Sequence, residues 1–183
     1  MNRIVITSLL ISFLSCNPAN TTDIMEYDFK NMQWVKTTLP DSFFSNAVFV
    51  AYDPECPVCL LYKTSIDYMA KTFHELAFYI VIPKDSDTAE IQQKLYSNSN
   101  LKMIYDPFNR VVNILKATTT PHAFLIDLEG KTLYNGKIDD RVKALGVKSQ
   151  TADTLYLQNA IKSYLNNEVP SITQTQPIGC LIQ

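Results

Sequence analysis

Four residues in a row, Cys56-Pro57-Val58-Cys59, form a C-x-x-C in a chain that has four cysteines. Disulfide exchange needs one thiolate that attacks and a second thiol that resolves the mixed disulfide. A two-residue spacer at the start of a helix supplies both. Cys56 then sits where free N–H groups and the helix dipole favour a sulfur anion. Pro57 suits the first helical position, where its missing N–H is not needed. Cys59 falls one turn further in and more buried, so Cys56 is the expected nucleophile and Cys59 the resolving thiol. Half of a zinc site is the competing chemistry. No second C-x-x-C exists, and the two histidines, His74 and His122, leave a four-ligand site poorly supplied. A purely structural bridge across two residues would close a tiny loop and add little stability. Glu55 places a like charge beside Cys56, which disfavours the thiolate and pushes the centre towards a reductant. Cys180, three residues from the end, has three readings: a plain tail thiol, a mixed disulfide with Cys56, or a pair between molecules.

The C-x-x-C needs a strand before it and a helix after it, and both are legible. Ala47 to Tyr52 is nearly all apolar, which suits a strand buried on both faces of a sheet. Asp53-Pro54-Glu55 ends it. Val58, Tyr62, Ile66, Met69 and Phe73 then recur at spacings of three and four, one face of an amphipathic helix. Leu76 to Ile82 is a second strand, closed by Pro83. Residues 87–98 read as a helix with a capping box from Asp87 and Glu90. A short strand is expected around Met103-Ile104-Tyr105, and Asp106-Pro107 opens a third helix through Val112 and Leu115. After Thr120-Pro121 come a strand from Ala123 to Ile126, a turn at Asp127-Leu128-Glu129-Gly130 and a return strand over 131–138. A loop runs through Gly146. Leu155, Leu157, Ile161 and Leu165 mark a last helix, and the tail starts at Pro170. The order is β-α-β-α-β-α-β-β-α, a parallel region followed by an antiparallel hairpin.

The 183 residues, 46% hydrophobic and 19% charged, are enough for one domain with a core and tails. A net charge of −2 without a Lys/Arg cluster gives no footprint for nucleic acid, and four glycines form no phosphate loop. Arg3 precedes an apolar run from Ile4 to Leu14, too short for a bilayer and of signal-peptide length. Phe13-Leu14-Ser15-Cys16 resembles a bacterial lipobox, which makes Cys16 the lipidated first residue of the mature protein and anchors the chain to a membrane. The expected division is 1–16 signal, 17–40 tether and extension, 41–168 domain and 169–183 tail. Tyr27, Phe29, Trp34, Phe43 and Phe44 suit packing of part of the extension on the domain.

Cys56-Pro57-Val58-Cys59, then Thr120-Pro121 before Ala123-Phe124-Leu125-Ile126-Asp127 and Gly130, resembles the thioredoxin superfamily. The resemblance implies an α/β fold, a central mixed sheet flanked by helices, with an additional α-β insertion between the C-x-x-C helix and a cis proline. It implies that Pro121 is cis and that Thr120 presents backbone to substrate. The insertion is similar to the TlpA-like and redoxin branch, and Pro177-Ile178-Gly179-Cys180 looks like a redoxin subgroup with a Gly-Cys tail. The implied activity is thiol–disulfide exchange without a cofactor, with protein thiols or disulfides and a redox donor protein as partners, on the periplasm-facing side of a bacterial envelope. Two alternatives accompany it. A thiol-dependent peroxidase would use the same cysteines, but Asp53 stands where a peroxiredoxin places the Thr that orients peroxide. A copper chaperone of the SCO type would use Cys56, Cys59 and His122, although such proteins carry a longer spacer between their cysteines. Otherwise His122 packs or tunes the thiol pKa.

Overall fold

The computed structural model describes residues 23–28, 31, 33–39, 41–83 and 101–182. The apolar run becomes strand β3 (Ala47–Ala51), buried along its whole length, and the three-and-four stripe becomes helix α1 (Pro57–Thr72). Around them lie β1 (Asp23–Asp28), β2 (Gln33–Thr38), β4 (Ala77–Pro83), β5 (Leu101–Asp106), α2 (Arg110–Leu115), β6 (Thr119–Thr120), β7 (His122–Ile126), β8 (Thr132–Gly136), β9 (Val142–Ala144), β10 (Val147–Lys148), α3 (Tyr156–Leu165) and β11 (Cys180–Leu181). Seven strands form one sheet in the order β2-β1-β5-β4-β3-β7-β8. Strand β4 runs parallel to β3 and β5, whereas β7 is antiparallel to β3 and β8. The expected parallel region and late antiparallel hairpin are both present.

Because side chains alternate across a strand, β3 and β7 feed two cores. Val48, Val50, Ala123 and Leu125 join Tyr62, Ile66 and Met69 of α1 and Leu157 and Ile161 of α3 on one face. Ala47, Phe49, Phe124 and Ile126 join Val111, Val112 and Leu115 of α2 on the other. Phe43, from a short 3-10 turn at Asp41–Phe44, packs there against Phe49 and Tyr79.

Two pieces differ from expectation. The segment 23–38, expected within the extension, supplies the antiparallel pair β1–β2, and β1 pairs with β5 at the sheet's end. The loop expected through Gly146 contains β9, which forms a small hairpin with β10 just past Gly146. The helix expected over 87–98 and the lipobox at Cys16 lie outside the described residues. No helix among the described residues is long and apolar enough to cross a membrane.

The helix expected to open at Asp106-Pro107 begins later, at Arg110, and Asp106 ends β5 while its side chain serves the first turn of α2. Its Oδ1 accepts the N–H of Arg110 at 2.8 Å and its Oδ2 that of Val112 at 3.1 Å. Burial raises its pKa, and the backbone N–H groups pull the other way. Asp106→Ala frees those N–H groups inside a buried corner. Its expected effect is a loss of about 1 kcal/mol, the usual size of a lost helix cap, read as a lower urea midpoint at unchanged slope.

Candidate active site

Strand β3 delivers the chain into a tight turn. Asp53 Oδ1 accepts the Glu55 N–H at 2.9 Å, and the Asp53 carbonyl accepts the Cys56 N–H at 3.1 Å. That turn leaves Cys56 as the N-cap of α1, with extended backbone and Pro57 following at the helix start. The Cys56 carbonyl already accepts the N–H of Leu60 at 3.3 Å. Cys59, one turn on, is a free thiol with no exposed surface. The Asp53 N–H donates to its Sγ at 3.4 Å. Burial pushes the Cys59 pKa up to about 12, against the hydrogen bonds from the Asp53 backbone and the Thr120 side chain. The fold therefore keeps a proton on Cys59 that the unfolded chain releases at about pH 9. This contribution is present below pH 9 and is lost as pH rises towards 12.

The peptide bond Thr120–Pro121 is cis. The Thr120 carbonyl oxygen lies 3.2 Å from Cys56 Sγ. Cys56, Cys59, Thr120 and Pro121, singled out from sequence, are thus brought to one place. Cys180 joins them through a disulfide to Cys56 that spans 124 positions, with a Cα–Cα distance of 6.2 Å. Of the three readings for Cys180, the structure has the intramolecular one.

The tail reaches Cys56 along a defined path. The Asn135 N–H of β8 donates to the Thr173 carbonyl at 3.0 Å, and the Thr175 N–H donates to the Asn135 carbonyl at 3.0 Å. Thr175 Oγ1 accepts the Lys137 N–H at 2.8 Å and lies 2.7 Å from the Tyr134 hydroxyl. Gly136, at φ +143°, makes room for Thr175, because a Cβ there would collide with it. Five residues later β11 pairs antiparallel with β6, Cys180 opposite Thr120 and Leu181 opposite Thr119. The Ile182 N–H then donates to the Thr118 carbonyl at 3.2 Å. Gly179 lies directly against the Thr120 carbonyl, and a Cβ at 179 would overlap it.

His122 is not part of this cluster. It shares the α2 side of β7 with Phe124, on which its ring stacks at 4.3 Å, whereas Cys56 and Cys59 belong to the core on the α1 side. Its Nδ1 accepts the Thr118 N–H at 3.3 Å, which leaves the proton on Nε2. Burial lowers its pKa to about 4, so the ring is neutral at pH 7. Cys56, Cys59 and His122 do not converge, and among the described residues no group of three His, Cys, Asp or Glu could hold a metal. His122 instead lines a cleft of about 550 Å³ with Lys116, Thr118, Phe124 and Gln174 on the far side of the sheet.

On the near side, Asp139 and Arg141 tie the loop after β8 to α1. Asp139 Oδ1 accepts the Tyr62 hydroxyl at 2.9 Å and the Arg141 N–H at 2.9 Å, and Oδ2 accepts Arg141 Nε at 2.8 Å. Arg141 also donates to Ser65 Oγ at 2.8 Å and stacks over the Tyr62 ring. From sequence, Asp139, Asp140 and Arg141 read together as a loop ion pair of structural value. The anchorage of Asp139 and Arg141 in α1, the helix that Cys56 caps and that carries Cys59, had no local signal.

Similar solved structures share this architecture. A hypothetical protein from Sinorhizobium meliloti superposes with a TM-score of 0.65 at 21% identity, over 87% of this chain and 90% of its own. An uncharacterized conserved protein from Geobacillus kaustophilus gives 0.61 at 18% identity, over 82% of each chain. The exposed lipoprotein thioredoxin of Streptococcus pneumoniae gives 0.53 at 16% identity, over 79% of this chain and 97% of its own. The chain has a thioredoxin-like fold. No protein-family model and no curated protein matches it. Within the thioredoxin-like frame, sequence reasoning missed Thr175 and the parts that Gly179 and Tyr134 play in routing the tail. The Gly-Cys pair near the chain's end was the available signal for Gly179.

Proposed function

We propose that the protein is a thiol–disulfide oxidoreductase that exchanges disulfides with protein substrates. The observation that carries this reading is the placement of Cys56 at the N-cap of α1, its sulfur against the Thr120 carbonyl and Cys59 one turn behind. In the reduced form the Cys56 thiolate, favoured by the helix N-terminus, attacks a substrate disulfide. One substrate sulfur leaves as a thiolate and the other stays on Cys56. A second thiol of the chain then attacks Cys56 Sγ, closes an internal disulfide and releases the reduced substrate. The segment around Thr120 offers backbone groups to an extended substrate strand, the mode in which main-chain hydrogen bonds give affinity and side-chain pockets give selectivity.

Glu55 beside the N-cap favours a reducing centre. An exported, lipid-anchored location, with Cys16 as the attachment point, suits the lipobox-like segment and accords with the likeness to an exposed lipoprotein thioredoxin. The peroxidase alternative lacks a hydroxyl at position 53, and the copper alternative lacks convergence of its three ligands.

The test is equilibration of the purified chain with glutathione or dithiothreitol redox buffers. A reversible two-electron couple between about −120 and −270 mV supports the reading, and a value towards the lower end makes the protein a reductant. Absence of any such couple sinks it.

A further inference from the structure

We propose that the C-terminal tail is a built-in substrate and that Cys180 is a third exchanging cysteine of this centre, an inference that rests on the oxidoreductase reading above. Three independent features of the tail agree. Its backbone pairs antiparallel with Thr119–Thr120, the edge at which an external peptide would have to add as a strand. Its cysteine is bonded to the helix-capping Cys56 rather than to Cys59. Its residue before the cysteine is Gly179, packed so closely on the Thr120 carbonyl that a side chain is excluded. Upstream, Thr173 and Thr175 are pinned to β8. Cys180 therefore hangs on a five-residue leash, and so short a tether holds its thiol near Cys56 at millimolar or higher effective concentration.

The chemistry balances without an external oxidant. The Cys59 thiol loses its proton and its sulfur attacks Cys56 Sγ. The Cys56–Cys59 bond forms as the Cys56–Cys180 bond breaks. The electron pair departs on Cys180, which takes up a proton. One disulfide and one thiol exist before and after, so the two forms are isomers at the same oxidation level. Thr120 touches the sulfur common to both alternatives, its carbonyl lying against Cys56 Sγ. When Cys180 leaves, β11 can peel from β6 and free that edge for an external segment. The tail also describes what such a segment looks like: extended, with a small residue directly before its cysteine and an aliphatic residue after it, as in Gly179-Cys180-Leu181.

The experiment is non-reducing peptide mapping of the full chain after oxidation in a dithiothreitol redox buffer, with free thiols alkylated first. Wild type should carry Cys56–Cys180 with Cys59 as the free thiol. Cys59→Ser should hold all of the bridge as Cys56–Cys180. Gly179→Val should move the bridge to Cys56–Cys59 and leave Cys180 open to alkylation. In trans, the thiol of a synthetic peptide of residues 177–183 should attack the Cys56–Cys59 disulfide of oxidised Cys180→Ser, forming a mixed disulfide with Cys56 as Cys59 leaves as a thiol, at least about tenfold faster than the same peptide with valine at 179, a difference of about 1.4 kcal/mol in activation free energy. Alkylation of both Cys56 and Cys180 in oxidised Cys59→Ser, or equal rates for the two peptides, overturns the proposal. If wild type shows a reversible couple but maps only as Cys56–Cys59, the tail proposal falls and the oxidoreductase reading stands. If no couple exists, the oxidoreductase reading falls first.

Discussion

Cys56→Ser should reduce turnover of a protein disulfide, with dithiothreitol or a thioredoxin-type donor as the electron source, to the uncatalysed background. In the proposed exchange all bond making runs through Cys56 Sγ. It is the sulfur at the helix N-cap, the one in contact with the Thr120 carbonyl, and the one already engaged by Cys180. A serine hydroxyl keeps the size and the cap but cannot form the mixed disulfide. Cys59→Ser has a different signature. The attack on substrate remains, while release loses its buried thiol, so substrate-linked or Cys180-linked intermediates should accumulate and be visible on a non-reducing gel. Equal activity of Cys56→Ser and wild type would remove Cys56 from the chemistry altogether. Cys180→Ser removes the covalent tie that holds β11 beside Thr120, and the reaction of its reduced form with an external disulfide should be faster than that of wild type, measured as the initial rate of mixed-disulfide formation.

Asp139→Ala should destabilise the fold by about 3–5 kcal/mol, the range for removing one partner of a buried ion pair, and so by more than the loss of the Asp106 cap. Asp139 is 2% exposed and accepts from Tyr62, the Arg141 backbone and the Arg141 guanidinium. Its loss leaves the Tyr62 hydroxyl without its acceptor and the Arg141 charge without its counterion, against the side of α1. For a chain of this size the melting temperature should fall by roughly 10 °C. Arg141→Ala should cost a comparable amount, because the carboxylate it leaves behind is 2% exposed and keeps only the Tyr62 hydroxyl and a backbone N–H as donors. The double variant should fall short of the sum, with a coupling of about 1–3 kcal/mol. Additive losses would mean that the two side chains act independently.

Much of the fold could be read from local pattern. The run that becomes β3 is apolar without alternation because both of its faces are covered, and the stripe through Tyr62, Ile66 and Met69 is the buried side of α1. The hairpin β1–β2 was hidden for a physical reason. Strand β2 is an edge strand with no fully buried residue, so its sequence carries no period of two. Strands β9 and β10 are short and mostly exposed, and their pairing follows from the turn rather than from burial. Cys56, Cys59, Thr120 and Pro121 were legible because helix-capping chemistry and the Thr-Pro pair are short-range signals. The partner of Cys180 could be named only as one of three readings, since a bond across 124 positions leaves no local trace to choose between them. His122 misled in the opposite direction. It is two residues from Thr120 in sequence, yet the alternation of β7 puts its ring on the far side of the sheet.

The pinning of Thr173 and Thr175 on Asn135 has a consequence for solubility. Strand β8 ends the sheet, and a bare strand edge offers its N–H and C=O groups to any passing chain, the usual start of edge-to-edge aggregation. The segment that occupies this edge lies upstream of the leash, so a swing of Cys180 away from Cys56 need not disturb it. The chain can therefore cycle between its disulfide isomers without turning β8 into a template for self-association.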